Sequence, residues 1–193
     1  MRKTTISRST RETTIEGTLN LDGSGKTEIR TGIPYLDHML TLFGFHGNFD
    51  LEIDATGDLS VDDHHTVEDV GIVIGQALDN LLGEQQNYVR YGSFLLPMDE
   101  VLARVVLDLS GRAYLKYNVE FSREKVGDLS TENVLEFFRA LVRESRMTLH
   151  IDMLESGNAH HQIEVMFKAF GRALREAVQL LDSDEVASTK GTL

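Results

Sequence analysis

A short motif of histidine and glutamate occurs twice in this 193-residue chain, 96 positions apart. The first copy, His64–Glu68, reads HHTVE, and the second, His160–Glu164, reads HHQIE. Both copies continue with glycine, alanine and leucine at matching positions. Imidazole and carboxylate groups are ligands of Mn, Fe, Co and Zn, so the repeat predicts two equivalent sets of metal ligands. The absence of cysteine excludes thiolate zinc sites.

The spacing within each motif suits an α-helix, in which residues four apart lie on one face. His64 can therefore share a metal ion with Glu68, and His160 can share one with Glu164. Neighbouring residues project about 100° apart, because an α-helix has 3.6 residues per turn. The second histidine of each motif must then serve a different ion, and the sequence predicts two ions.

Six motif side chains give each of two ions three protein ligands, so one more histidine per ion would complete the sets. His38 and His150 are the candidates, although a lone histidine is more often a hydrogen-bonded structural residue. His46 competes with them, and it can equally lie at the mouth of a pocket and contact a substrate. By residue type alone, Glu12 is an ordinary strand-edge residue, and the arginines and lysines are surface charges.

The composition limits the partners and the compartment of the protein. A net charge of −12 argues against nucleic acid and against an anionic membrane surface. No apolar stretch approaches the roughly 18 to 20 residues of a membrane span, and the N-terminus lacks the apolar core of a secretory signal. With no cysteine either, we expect a cytoplasmic protein.

The two halves of the chain show the same order of predicted elements, ββαβα. In the first half, alternating and apolar patterns predict strands at 13–21, 26–29 and 51–54 and helices at about 34–45 and 64–82. In the second half, they predict strands at 101–109, 113–121 and 149–152 and helices at about 130–146 and 160–182. Asp62 and Asn158 stand two residues before the motifs, where they can cap the helices that carry them.

The repeated order predicts an α+β fold in which two duplicated halves form a sandwich of sheets and helices. We expect a single domain over residues 1–193, built from repeats of about 1–95 and about 96–193. The motif helices are apolar on more than one face and therefore need burial on several sides. Oligomer formation is one way to provide that burial.

Further motifs along the chain resemble those of the imidazoleglycerol-phosphate dehydratase family of histidine biosynthesis. The resemblance runs from about Arg8 to Lys190, nearly the whole chain. It rests on RSTRET at 8–13, DHML at 37–40, HGNFDL at 46–51, GDL at 57–59, DDHHTVED at 62–69, LDLSGR at 107–112, NAHH at 158–161 and STK at 188–190. So many motifs in this order make the resemblance specific.

The resemblance implies an enzyme that dehydrates imidazole glycerol phosphate to imidazole acetol phosphate, with two Mn²⁺ ions per active site. It also implies a homo-oligomeric shell of 24 subunits with active sites between subunits. The implied ligands are His38, His65, His160 and Glu164 for one ion, and His64, Glu68, His150 and His161 for the other. The implied acid/base is Glu12, and the implied phosphate ligands are Arg90, Arg112, Ser188 and Lys190.

A mechanism follows as a hypothesis. An imidazole held between two Lewis-acidic ions loses its N–H proton, and the resulting imidazolate expels the neighbouring hydroxyl. Glu12 moves protons at the two carbons, giving an enol that becomes the ketone.

Two other functions use the same ligands. One is a di-metal hydrolase, which would need bridging carboxylates, and the other is a metal-dependent shell or metal store without catalysis.

Overall fold

One four-stranded sheet and two long helices form each half of the chain. A computed structural model describes residues 1–83 and 87–182. The first half contains β1 (Lys3–Ser9), β2 (Thr13–Asn20), β3 (Thr27–Arg30), α1 (Pro34–Gly47), β4 (Asp50–Gly57) and α2 (His64–Gly83). The second half contains β5 (Tyr91–Met98), β6 (Val101–Asp108), β7 (Tyr114–Asn118), β8 (Lys125–Val126), β9 (Leu129–Ser130), α3 (Thr131–Ser145), β10 (Thr148–Glu155) and α4 (Ala159–Ala177).

The two sheets share one topology, which confirms the expected α+β class and the duplication. Their strand orders are β1-β2-β4-β3 and β5-β6-β10-β7. In each sheet the first three strands in that order pair antiparallel, and the last pair is parallel. The parallel pair needs a crossover connection, and α1 or α3 provides it.

Each four-stranded sheet contains one more strand than the predicted ββαβα order, and the second half also contains the short β8–β9 hairpin. The added strands, β1 and β5, lie at the edges of their sheets. β1 buries only Ile6 among polar and charged neighbours, so its sequence shows little of the alternation that marks a strand. The second set of elements begins at Tyr91, whereas the predicted division lay at about residue 95.

The last helix, α4, ends at Ala177 rather than at the predicted residue 182. The apolar residues that follow it pair with the segment before β5 instead of continuing the helix. Leu180 forms an isolated antiparallel bridge with Tyr88, and Val89 donates its backbone N–H to the carbonyl of Gln179 at 2.8 Å. Backbone pairing therefore satisfies this segment without a further helical turn.

The helices lie between the two sheets, and they pack on one another across the two halves. α2 packs against α3, and α1 packs against α4. A cluster of aromatic rings joins α1, α3 and α4, with centroid separations of 5.2 to 5.7 Å between Phe137 and Phe167, Phe43 and Phe170, and Phe138 and Phe170. The core therefore runs through both halves. None of the described helices is long and apolar enough to cross a membrane.

Glycine permits the close approach of helices at both crossings. A Cβ on Gly75 of α2 would lie 2.6 Å from the carbonyl oxygen of Leu141 on α3. A Cβ on Gly171 of α4 would lie 2.6 Å from the carbonyl oxygen of Phe43 on α1. Gly171 follows Gly75 by 96 residues and Leu141 follows Phe43 by 98, so the same contact is made twice. These glycines stand where any side chain would push the helices apart.

We expect Gly75→Ala to lower the free energy of unfolding by about 1–3 kcal/mol, because the added methyl group overpacks a contact with backbone that cannot move aside. Gly83→Ala is the matched control, since Gly83 ends the same helix and nothing lies within 4 Å of its Cβ position. Chemical denaturation followed by circular dichroism measures both changes. Equal stability of the two variants would contradict the close packing of α2 on α3.

Candidate metal centre

Both histidine motifs open a helix, as the sequence predicted. The side chain of Asp62 accepts a hydrogen bond from the backbone N–H of His64 at 2.8 Å, and Asn158 does the same for His160 at 2.9 Å. These bonds satisfy N–H groups that have no partner within the helix. The first turns of α2 and α4 therefore present their imidazoles from equivalent, fixed starting points.

Within each motif the first histidine and the glutamate lie on one face. The Nε2 atom of His64 lies 3.8 Å from a carboxylate oxygen of Glu68, and the corresponding distance from His160 to Glu164 is 3.2 Å. The adjacent histidine rings are nearly perpendicular, with interplanar angles of 82° in the first motif and 87° in the second, and in the first motif they contact different residues, Asn133 and Asp58. The geometry agrees with the prediction that neighbouring histidines face different directions.

His38 joins the second motif from the neighbouring helix α1. Its Nε2 atom lies 3.7 Å from Glu164, whose other carboxylate oxygen lies 2.5 Å from Nζ of Lys168. Burial alone would raise the pKa of Glu164, but the hydrogen bond from Lys168, helped by the charges of Lys168 and His38, lowers it. Tyr35, one turn earlier on α1, donates its hydroxyl to the carbonyl of His160 at 2.9 Å.

Glu12 lies beside the first motif, in the turn between β1 and β2. Thr10 fixes this turn, because its Oγ1 accepts from the backbone N–H groups of Glu12 and Thr13 at 3.1 and 3.0 Å. A carboxylate oxygen of Glu12 lies 3.9 Å from Nε2 of His65. The backbone N–H of Asp58 donates to the carbonyl of Glu12, so the two segments that flank His65 are joined.

Carboxylates hold the Nδ1 atoms of the second histidine in both motifs. Asp58 lies 3.0 Å from Nδ1 of His65, and Glu100 lies 3.0 Å from Nδ1 of His161. The hydrogen bond to Asp58 is the main cause that raises the pKa of His65. The backbone N–H of Asn158, followed by His161, lowers the pKa of Glu100 to about 2.

Two of the expected phosphate ligands meet around one carboxylate on the second sheet. Arg90 contacts both oxygens of Asp108, through Nε at 2.6 Å and Nη2 at 3.1 Å. Arg112 approaches the same carboxylate at 3.7 Å and is 69% exposed. The hydrogen bond to Asp108 is the main cause that raises the pKa of Arg90. Two cations sharing one anion leave a net positive charge at this edge of the sheet.

His150 lies apart from both motifs within the chain. It stands on β10 between the buried residues Leu149 and Ile151, so its side chain points to the outer face of the sheet, away from α4. There it lines a shallow cavity of about 280 Å³ together with Asp108, and its ring lies 5.8 Å from that of Tyr114. Within one chain, His150 is therefore a neighbour of the arginine pair rather than of the helical histidines.

His46 lies near the end of α1, where its ring meets the edge of Phe45. Burial, followed by the charges of Lys168 and Arg172, lowers the pKa of this half-buried imidazole. His46 lies beside two cations of α4, and its predicted contact with substrate remains a prediction. Ser188 and Lys190, the other predicted phosphate ligands, lie outside the described residues.

A single chain does not bring the predicted ligands together into complete sets. Within residues 1–83 and 87–182, the one group of three possible ligand residues with atoms all within 4.8 Å is Asp99, Glu100 and His161. Among the predicted ligands, Glu164 lies 3.2 Å from His160 and 3.7 Å from His38, and His64 lies 3.8 Å from Glu68. Sequence reasoning missed Asp58, Glu100 and Asp108, because only the folded chain places these carboxylates beside histidine or arginine.

The repeat itself points to one further residue that sequence reasoning passed over. Helices α1 and α3 end in left-handed residues, Asn48 and Arg146, which are 98 positions apart. The same offset relates His38 on α1 to Glu136 on α3. Glu136 is therefore the counterpart of His38, and aligning the two helix ends would have identified it from the sequence.

Asp63 connects the first motif to the other half of the chain. Its buried carboxylate accepts hydrogen bonds from the backbone N–H and the hydroxyl of Ser130, at 2.6 and 2.7 Å. Ser130 is the N-cap residue of α3, so the start of α2 is tied to the start of α3. Burial would raise the pKa of Asp63, but the hydrogen bonds from Ser130 outweigh it and lower the pKa.

Comparison with known proteins agrees with this fold and these motifs. A family model described as imidazoleglycerol-phosphate dehydratase matches residues 31–174. Curated relatives with that name are 55% identical in Acetivibrio thermocellus, over all of this chain and 99% of the relative, and 53% identical in Clostridioides difficile, over all of both chains. The solved structure of the Staphylococcus aureus dehydratase superposes with a TM-score of 0.85 at 47% identity, covering 93% of this chain and 99% of that one.

Two duplicated sheets with helices packed between them, and a histidine motif that opens one helix in each half, define the class, a dehydratase fold. The same fold occurs in the solved structure from Pyrococcus furiosus. That structure was solved in complex with (S)-C348, with a TM-score of 0.84, 39% identity and coverage of 97% of this chain and all of that one. The chain belongs to the imidazoleglycerol-phosphate dehydratase family. It is a hydro-lyase of histidine biosynthesis.

We expect Asp63→Ala to lower the free energy of unfolding by about 1–3 kcal/mol at pH 7, because the buried N–H of Ser130 would lose its acceptor. The folded state lowers the pKa of Asp63, so its contribution is present above the ordinary value of about 3.9 and is lost as the pH falls through the lower folded value. The difference between wild type and variant should therefore shrink from pH 7 to pH 3.

Urea denaturation at both pH values measures this difference. Asp128→Ala, at the exposed tip of the β8–β9 hairpin, is the control and should change stability by less than about 0.5 kcal/mol. A cost for Asp63→Ala that stays the same at pH 3 would contradict the role of its negative charge.

Proposed function

We propose that the chain converts imidazole glycerol phosphate to imidazole acetol phosphate at active sites that hold two Mn²⁺ ions. The observation that carries this proposal is the duplicated motif, which opens two equivalent helices with each His–Glu pair in contact. Family membership supports the dehydration, and the chemistry of the side chains supports the metal. Imidazole and carboxylate donors without thiolates suit Mn²⁺.

The motif side chains suit metal binding better than a structural role in the core. The side chains of His38, His64 and His160 are between 41% and 49% exposed, whereas a histidine that serves only core packing would be buried. Nδ1 of His64 lies 3.0 Å from the side-chain oxygen of Asn133. With this nitrogen engaged, Nε2 remains as the atom to face an ion.

Our proposed division of ligands is the one that the resemblance implies, and it agrees with the helix geometry. One ion takes His38, His65, His160 and Glu164, and the other takes His64, Glu68, His150 and His161. Within one chain these residues form pairs rather than complete sets, which supports sites assembled between copies. His150, on the outer sheet face, would reach the motif of another copy, and Glu136 competes with it as the counterpart of His38.

An oligomer also accounts for apolar surface on the second sheet. Tyr91, Leu95, Val106 and Tyr114 are large apolar residues that remain exposed in the single chain. Such residues are typical of a surface that another subunit covers. We propose a homo-oligomer, a shell of 24 subunits as the resemblance implies, working in the cytoplasm on a small phosphorylated imidazole without a nucleic-acid or membrane partner.

Bound Mn²⁺ supplies Lewis acidity that favours loss of the imidazole N–H proton. The remaining work belongs to side chains of the protein. A role for Glu12 in holding and moving a proton is supported by the position of its carboxylate, 3.9 Å from Nε2 of His65, the nitrogen proposed to face an ion. A positioned carboxylate of this kind contributes roughly 10²- to 10⁴-fold to a rate.

The arginine pair is suited to the substrate phosphate. Asp108 fixes Arg90 in a two-point contact and lies beside Arg112, whose exposed guanidinium faces solvent. Arginine recognises phosphate through two parallel hydrogen bonds. We propose that Arg90 and Arg112 bind the phosphate together with Ser188 and Lys190, and that His46 contacts the substrate.

Two other functions share the proposed ligands. A di-metal hydrolase would need carboxylates that bridge two ions, yet Glu164 is engaged by Lys168 and Glu68 lies 3.7 Å from Arg143. A metal-dependent shell or store would need no acid/base, whereas Glu12 is held beside the first motif by a structured turn. The family membership favours dehydration over both.

Metal removal tests the proposed function directly. We expect protein treated with EDTA to lose turnover of imidazole glycerol phosphate and to regain it on addition of Mn²⁺. Formation of the ketone product is followed by absorbance after alkaline enolisation, and metal content is measured by mass spectrometry. Full Mn²⁺ loading without turnover would contradict the proposal and favour the metal store.

A separate prediction concerns the acid/base. Glu12→Gln should reduce kcat by about 10²- to 10⁴-fold with unchanged Mn²⁺ content, because the amide keeps the shape of the side chain but cannot exchange the proton. Glu16→Gln, an exposed carboxylate on the neighbouring strand β2, is the matched control and should keep wild-type kcat. A kcat for Glu12→Gln within about threefold of wild type would show that Glu12 is not the acid/base.

A further inference from the structure

The second histidine of each motif is held in the same way in both halves of the chain. A carboxylate lies 3.0 Å from Nδ1 of His65, and another lies 3.0 Å from Nδ1 of His161. A second carboxylate stands opposite on the Nε2 side, where Glu12 lies 3.9 Å from His65 and Asp99 lies 4.0 Å from His161. In both rings, Nδ1 therefore faces the supporting carboxylate, and Nε2 faces the open side.

Different parts of the fold supply the two Nδ1 partners. Asp58 follows the end of β4 and precedes its histidine by seven residues. Glu100 belongs to the two-residue turn between β5 and β6, in which Asp99 adopts a left-handed conformation with φ of 49°. The hairpin is anchored at α4, because Glu100 also accepts the backbone N–H of Asn158 at 2.6 Å. The repeated geometry therefore does not come from a repeated sequence, since no motif relates these two positions.

We propose that Asp58 and Glu100 are positioning residues that fix the second histidine of each motif for metal binding. Each carboxylate accepts the Nδ1–H of its imidazole, which leaves the lone pair of Nε2 to face an ion. A carboxylate in this place sets the tautomer, fixes the plane of the ring and makes the ligand nitrogen more basic. This inference rests on the proposed di-metal function and adds to it the residues that orient two of its ligands.

The side chains also meet a geometric requirement of such a role. A positioning carboxylate must reach its ring without occupying the side that faces the metal. Asp58 and Glu100 meet this requirement, because each contacts Nδ1 of its histidine and does not cover Nε2. Glu100 makes one contact more than Asp58, through the backbone of Asn158, so it also fixes the start of α4. Loss of Glu100 should therefore disturb both the ligand and its helix, and loss of Asp58 chiefly the ligand.

The proposal predicts a separate effect on each ion. In the proposed division, His65 and His161 bind different ions, so Asp58→Ala should weaken one of two Mn²⁺ ions and Glu100→Ala the other. Removing the partner of a metal-bound histidine typically weakens metal binding about 10- to 100-fold. Asp58→Asn and Glu100→Gln should recover part of this loss, because an amide oxygen still accepts the Nδ1–H.

The experiment titrates the Mn²⁺-loaded protein with EDTA and measures released Mn²⁺ by electron paramagnetic resonance. We expect one of two ions to leave each alanine variant at an EDTA concentration about 10- to 100-fold lower than wild type, and both to leave the double variant. Asp128→Ala is the control and should release Mn²⁺ as wild type does. Thermal unfolding shows whether each variant is folded, and the amide variants supply the test if an alanine variant is not.

The outcomes separate this inference from the proposed function. Wild type that binds no Mn²⁺ overturns the proposed function and the inference together. Wild type that binds two ions, with alanine variants that release them at the same EDTA concentration, overturns only the inference. Amide variants no better than alanine also overturn it, because the hydrogen bond to Nδ1 would then not matter.

Discussion

The close crossing of helices between the two halves fixes the position of every motif side chain. Gly75 and Gly171 let α2 and α4 approach backbone carbonyls of the opposite half. At each crossing, the partner helix then contacts the motif, through Asn133 at His64 and through Tyr35 at the carbonyl of His160. Because interiors are close-packed, a shift of one helix would move its imidazoles with it. The duplicated core therefore determines where the two histidine motifs lie.

Carboxylates around this core contact the histidines, the arginine pair and a helix start. Part of the acidic composition of the chain therefore has a structural role. Asp58 and Glu100 contact histidine nitrogens, and Asp108 holds an arginine in a two-point contact. Asp63 ties the start of one motif helix to the start of α3. In each case a hydrogen bond to a charged group is stronger than one between neutral groups and fixes a direction. The net charge of −12 thus includes groups that orient the functional side chains.

The distribution of ligands within one chain is what the proposed assembly between copies would explain. Within the described residues, one chain assembles His–Glu pairs and an arginine pair but no set that combines both motifs. His150 lies on the outer face of a sheet that also exposes large apolar residues, and Asp108, which contacts the arginine pair, lines the same cavity. Assembly that covers this face would bury apolar surface and bring a second copy to the ligands at the same time. The stability of the protein and its catalysis would then both depend on assembly of the subunits.

The sequence alone determined the duplication, the α+β class and the i,i+4 pairs, because these depend on local periodicity and helix geometry. It missed the edge strands β1 and β5, since an edge strand that buries few side chains shows weak alternation. Only the tertiary structure decided that His150 faces away from the motifs and that Asp58 and Glu100 hold Nδ1 atoms. Those relations join residues that the chain brings together from separate elements, and local sequence carries no signal for such contacts.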